Sequence, residues 1–116
     1  MHLKNVVIVV KNIEKSKKFY QELFGLQVIR DFESNVILTE GLVLQEKESW
    51  ENGLGEESAC GCDHELFFED ANFDAFIDKL DDYNGILYKN FGINSWGKRI
   101  VRIKDPDGHI IEVAEV

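Results

Sequence analysis

One spacing occurs twice in this chain and limits what it can fold into. Asn5, Asn12 and Gly25 each have a counterpart sixty positions later, at Glu65, Asn72 and Gly85. Val6-Val7-Ile8-Val9-Val10 is β-branched and continuous, which suits a strand with little solvent on either face. Asn12 follows as an N-cap, its side chain able to accept from a free backbone N–H of the first helical turn. Ile13, Ser16, Phe19, Tyr20, Leu23 and Phe24 then recur at steps of three and four. That makes one helical stripe, with Lys15, Lys17, Lys18 and Glu22 outside it. Gly25 ends the helix because it adopts the left-handed conformation of a C-terminal cap without a Cβ clash. Strands are expected at Leu26–Phe32, Asn35–Thr39 and Leu42–Lys47, joined closely enough for an antiparallel meander.

The second half repeats this order. Glu65-Leu66-Phe67-Phe68-Glu69 reads as a strand, Asn72 caps a helix with Phe73, Phe76, Ile77, Leu80 and Tyr83 on one face, and Gly85 closes it. Further strands are expected around Ile86–Asn90, Arg99–Lys104 and His109–Ala114. Asp105-Pro106-Asp107-Gly108 joins the last two, with Pro preset for a turn and Gly free to take positive φ. The order is therefore βαβββ twice, an α+β chain of 116 residues that fits a single domain, 1–116. Repeat one spans about 1–47 and repeat two about 64–116, with a linker of about 48–63 between them. Neither unit covers its sheet alone, so the two pack side by side or pair with another chain. The linker is polar and rich in Gly and Glu, yet carries Trp50 and Leu54, which dock on the body of the protein or form a lid; docking is the simpler expectation.

Charge and cysteine usage exclude several classes of function. With 22 acidic and 13 basic residues the formal net charge is −9, which argues against a nucleic-acid partner. The acidity is compatible with a cationic ligand, although it more commonly serves solubility. No aliphatic run exceeds Val6–Val10, so no membrane span is expected, and Met1 leads into a strand-like segment rather than an export signal. Cys60 and Cys62, separated only by Gly61, cannot build a disulfide scaffold. Cys60-Gly61-Cys62-Asp63-His64 lacks the spacing and second ligand pair of a zinc site, and reads as linker. A reducing, cytoplasmic setting follows as the expectation.

Two stretches are more specific. Val10-Lys11-Asn12-Ile13-Glu14-Lys15-Ser16-Lys17-Lys18-Phe19-Tyr20, continuing to Leu23-Phe24-Gly25-Leu26, resembles the opening of the vicinal oxygen chelate superfamily. That family includes glyoxalase I, bleomycin-resistance proteins and extradiol dioxygenases. Asp105-Pro106-Asp107-Gly108-His109-Ile110-Ile111-Glu112 is similar to its C-terminal signature. The resemblance covers nearly the whole chain. It implies paired βαβββ units whose mixed sheets curl, incompletely closed, around a small-molecule cleft, commonly in a homodimer. In metal-dependent members four cleft-facing positions hold a divalent ion, which acts as a Lewis acid on a substrate bound through two neighbouring oxygens.

By this resemblance the four positions fall on Asn5, Gln45, Glu65 and Glu112. His64 would take the third place if the alignment slipped by one. Strand alternation favours Glu65, because the slip would put Glu65, Phe67 and Glu69 in the hydrophobic core. Oxygen-only ligation suits Mg²⁺, Mn²⁺ or Ca²⁺ better than Zn²⁺ or Ni²⁺, and a metal-free cleft is the alternative. The first functional expectation is a lyase or isomerase of a small oxygenated substrate, with Glu65 and Glu112 as metal ligands or as acid and base. The second is a binding protein that sequesters a cationic or aromatic antibiotic or metabolite. Trp50, Phe67, Phe91 and Trp96 are its stacking surfaces. Under the first expectation, a glutathione hemithioacetal substrate needs cations for its carboxylates, and Arg99, with Lys98 and Arg102, is near enough in sequence to supply them. The third is a structural subunit with a decayed cleft, in which Glu112 is a strand-end residue and Glu65 a charge that blunts a sheet edge.

Overall fold

A computed structural model describes residues 1–54, 64–86 and 88–116. The chain divides into two compact units, Met1–Cys60 and Gly61–Val116. In the first, strand β1 (Val6–Val10) leads into helix α1 (Ile13–Phe24), followed by β2 (Val28–Asp31), β3 (Asn35–Leu38) and β4 (Leu42–Glu46). The sheet order is β1-β4-β3-β2, with β1 parallel to β4 and the remaining pairs antiparallel. Asn12 caps α1 through Oδ1, which accepts from the Lys15 N–H at 3.0 Å, and Gly25 ends it at φ 67°. The stripe read from the sequence supplies the core: Ser16, Phe19, Tyr20 and Leu23 are buried. They are joined by Ile8, Val10, Val36, Leu38 and Leu44 from the sheet. Each large apolar side chain buried in this way contributes about 1.5–3 kcal/mol.

The linker expected from residue 48 begins instead as a helix, α2 (Lys47–Leu54), packed against β1 and β4. Its apolar stripe is too thin to announce it. It is supported by a Lys47–Glu51 ion pair at 3.0 Å and by Ser49, whose hydroxyl donates to the Glu46 carbonyl and accepts from the Gln45 amide. Residues 55–63, with Cys60 and Cys62, lie outside the described residues.

The second unit runs β5 (Glu65–Asp70), α3 (Phe73–Asp82), β6 (Lys89–Ile93), β7 (Arg99–Lys104) and β8 (Ile110–Glu115). Its order, β5-β8-β7-β6 with β5 parallel to β8, matches that of the first unit element for element. Both sheets are four-stranded, mixed and open, as expected from the duplicated βαβββ order. Two boundaries differ. Helix α3 ends at Asp82 with Tyr83 as its cap, and Gly85 takes its positive φ of 98° in the turn beyond. Strand β6 starts at Lys89 rather than near Ile86, and Leu87 of the expected strand lies outside the described residues. The register explains the shift. Asn94 Oδ1 accepts from the Trp96 and Lys98 N–H groups at 3.0 Å each, and the resulting turn sets Ile93 opposite Arg99. No helix among the described residues is long and apolar enough to cross a membrane.

Candidate functional site

Side chains along a strand alternate between faces, and residues paired across a ladder share a face. Glu65 pairs with Ile110, Phe67 with Glu112 and Glu69 with Ala114 across β5 and β8, while Arg102 pairs with Glu112 across β7 and β8. Glu65, Phe67, Glu69, Arg102 and Glu112 therefore stand on one face of the second sheet. Val101, Ile103, Ile111 and Val113 are buried on the other. Helix α3 lies on that other face, since its Asp74 and Asp81 reach Arg99 and Lys89 there.

Glu112 sits on the central strand β8 and is only 7% exposed. Arg102 approaches it with Nη2 2.7 Å from Oε1, and the same guanidinium places Nε 3.9 Å from Glu65 Oε2. Glu112 Oε1 is buried, yet receives no hydrogen bond of proper direction. The 2.7 Å contact is thus an attraction of charges off the donor line. This oxygen is therefore covered, with the Arg102 guanidinium beside it and no bond along the donor line. Phe67, directly opposite Glu112, leaves 48% of its surface open. Lys104 Nζ lies 5.1 Å from the centre of the Tyr88 ring, one step along the sheet from Arg102.

Glu65 and Glu112 are therefore brought together, bridged by Arg102. His64 falls one residue off this alternation, and its ring stands 5.7 Å from that of His109. Asn5 and Gln45 are not brought together. Asn5 precedes β1, whereas Gln45 pairs with Val9, four residues further along and about 13 Å away at a strand's rise. The Gln45 amide is also engaged at both ends: Oε1 accepts from Asn35 and Nε2 donates to Ser49, each at 2.6 Å. The two ladders also give the matching positions. Val7 pairs with Val43 as Phe67 pairs with Glu112, so Val43, a buried aliphatic residue, stands where Glu112 stands in the second unit. Gln45 corresponds to Ala114. On its ladder Gln45 lies two residues beyond the position that matches Glu112, and the β3–β4 and β7–β8 connections differ in length.

The stacking and cationic candidates separate as well. Arg99 faces α3, where it pairs with Asp74 at 2.9 Å and Glu115 at 3.2 Å and covers the Phe73 ring. Its odd position on β7 puts it opposite Arg102 through the sheet, so it is not a contact for a ligand on the Glu112 face. Phe91 pairs with Val101 and shares that far face. Trp96 is 82% exposed in the β6–β7 turn, and Trp50 is half-buried in α2 of the first unit. In the sequence Arg102 stands near Lys98 and Arg99 with nothing to single it out. The signal lay in the hairpin: Arg102 and Glu112 are equidistant from Asp107, so a tight Asp-Pro-Asp-Gly turn makes them cross-strand partners.

These residues do not fit a divalent metal cage. Two carboxylates, with waters completing the shell, can hold a hard cation, but here a guanidinium already lies between them. Among the described residues, no group of three or more His, Cys, Asp or Glu side chains converges on one point. A separate polar cavity of about 320 Å³ lies beside α2, walled by Lys11, Glu46, Lys47, Glu48, Glu51 and Asn52, and includes none of the site candidates. One cluster outside the site is set by pairing. Lys17, between Asp31 and Glu14, is held above the ordinary lysine range, first by its hydrogen bond to Asp31. Asp31 is lowered in return.

The family described as "Glyoxalase-like domain" matches residues 3–116. Among solved structures, a protein of unknown function from Agrobacterium tumefaciens str. C58 is 32% identical. Its TM-score is 0.86, and the alignment covers 100% of this chain and 94% of that one. A lactoylglutathione lyase from Agrobacterium tumefaciens is 20% identical with a TM-score of 0.77, covering 96% of this chain and 90% of that one. A glyoxalase/bleomycin resistance protein/dioxygenase family enzyme from Burkholderia phytofirmans PsJN is also 20% identical, with a TM-score of 0.81 and coverage of 100% and 99%. The latter two likenesses show the fold. No curated protein matches the chain. The duplicated βαβββ order, the open mixed sheets and the match over residues 3–116 lead to one conclusion: the chain belongs to the glyoxalase-like domain family of the vicinal oxygen chelate superfamily.

Proposed function

We propose that this chain binds a small organic molecule on the open face of the second sheet, and that the ligand is an aromatic group carrying a cation or a strong hydrogen-bond donor. The observation that carries the reading is the pairing of half-exposed Phe67 with Glu112, whose buried Oε1 lacks a directed donor. A ring laid on Phe67 gains about 0.5–1.5 kcal/mol beyond its burial. An N–H group on that ring supplies the missing hydrogen bond by displacing the Arg102 guanidinium that now stands 2.7 Å from Oε1. Binding of this kind needs no metal.

Proflavine, a planar fluorescent cation, is a suitable probe. Saturable binding to the full chain is expected, weakened about tenfold, or about 1.4 kcal/mol, by Phe67→Ala and similarly by Glu112→Gln. Arg99→Ala, on the far face, leaves it unchanged. Binding that ignores both Phe67→Ala and Glu112→Gln would sink the proposal, as would no saturable binding of proflavine or other aromatic cations.

A second reading follows from two carboxylates on one face. Glu65 and Glu112 would move a proton on an oxygenated substrate, in the manner of a lyase or isomerase. The fold shared with a lactoylglutathione lyase lends it support. Turnover of a glutathione hemithioacetal that disappears in Glu112→Gln would put this reading first.

A further inference from the structure

We propose that Arg102 is the resident cation of this face: its guanidinium fills the position between Glu65 and Glu112 that a divalent ion would need, and its removal creates a metal site. The three side chains come from adjacent strands in the order β5, β8, β7. Strands lie about 4.8 Å apart, so Glu65 and Arg102 start from backbones about 10 Å apart, with Glu112 between them. Arg102 nevertheless brings Nη2 to 2.7 Å from Glu112 and Nε to 3.9 Å from Glu65. The guanidinium therefore lies over the central strand, at the point both carboxylates share.

Two further features fit a counter-ion in that place. The Arg102 contact with Glu112 is close but off the hydrogen-bond line, as expected of a group placed by charge from two sides rather than aimed at one acceptor. Charge also balances differently with and without it. Two carboxylates and one guanidinium sum to −1, and a dication added beside them would face a positive charge a few ångströms away. Without the guanidinium, the same pair is a dianion. Arginine does not lose its proton in proteins, so exclusion of the metal by Arg102 does not relax with pH as it would with lysine. The inference shares Glu112 with the proposed binding function but is tested with no organic ligand present, so the two fail separately.

The experiment is a titration of the full chain with Mn²⁺, reading free ion by electron paramagnetic resonance. The wild type is expected to show only weak surface association, near the roughly millimolar range of loose carboxylate sites. Arg102→Met is expected to gain one site at least about tenfold tighter, which Glu112→Gln in the same chain removes. Arg102→Lys, which keeps the charge, stays like the wild type at neutral pH. Circular dichroism and melting check that each variant is folded, and Arg102→Gln replaces the Met variant if that one is not. Wild-type Mn²⁺ retention that is stoichiometric and lost in Glu112→Gln would overturn the proposal without any Arg102 variant. A folded Arg102→Met or Arg102→Gln chain that gains no site would overturn it as well.

Discussion

Replacing Asp105 with alanine separates what the Asp-Pro-Asp-Gly turn does for the fold from what the face beyond it does for a ligand. The Asp105 side chain is 5% exposed, and its Oδ1 accepts from the Asp107 N–H at 2.8 Å and the His109 N–H at 2.9 Å. The backbone closes the same turn: the Asp105 N–H donates to the His109 carbonyl, and the Gly108 N–H donates to the Asp105 carbonyl. Alanine keeps those two bonds and strands the other two donors. Hydrogen bonds to a charged acceptor contribute about 1.5–3 kcal/mol each. Water can replace part of this at a half-buried turn, so the expected loss is roughly 3 kcal/mol for the pair. Asp105→Asn keeps an acceptor without the charge and loses about half as much. Urea unfolding followed by circular dichroism, analysed with a common slope, measures both losses. Proflavine binding should survive in Asp105→Asn, because the carboxylate faces its own turn and not the sheet surface. An alanine variant within about 0.5 kcal/mol of wild type would refute the argument that this motif acts structurally.

The pH dependence of the far face and the oligomeric state give two more tests. Glu115 is held below its ordinary value of 4.5, chiefly by the Arg99 backbone N–H and then by the Arg99 guanidinium. A depressed carboxyl stabilises the fold above its unfolded pKa and loses that contribution as pH falls through the folded value. The melting-temperature gap between wild type and Glu115→Gln should therefore be full at pH 7, shrink below about pH 4.5 and close in stronger acid. A gap that persists unchanged to pH 2 contradicts the pairing. A homodimer is the expected assembly, because among the described residues β1 is an edge strand and leaves Val6 and Val7 exposed. Light scattering at micromolar concentration should give twice the mass of one chain, and a monomeric value would remove the dimer.

Much of the fold was legible because it rests on local chemistry. Asn12 and Asn72 cap helices with their own side chains, Gly25 ends one by its freedom at positive φ, and the apolar steps of three and four mark which side of α1 and α3 is buried. Alternation along β5 was also enough to put Glu65, rather than His64, on the face of Glu112. Helix α2 escaped this reading because it draws its support from Gln45 and from packing on β1 and β4, not from a periodic stripe.

The candidate site divides along the same line. The sequence by itself determined the duplicated βαβββ order, the turn at Asp105–Gly108 and the placing of Glu65 and Glu112 toward one surface, since these follow from periodicity and turn chemistry within a few residues. Only the tertiary structure decided that Gln45 lies too far along its ladder from Asn5 to share a ligand with it, and that Arg99 turns to α3 while Arg102 turns to the carboxylates. The physical reason is register. A shift of one residue moves a side chain to the opposite face, and a shift of two moves it about 7 Å along the same one. Strand pairing across connections of unequal length sets that shift, and no local pattern records it.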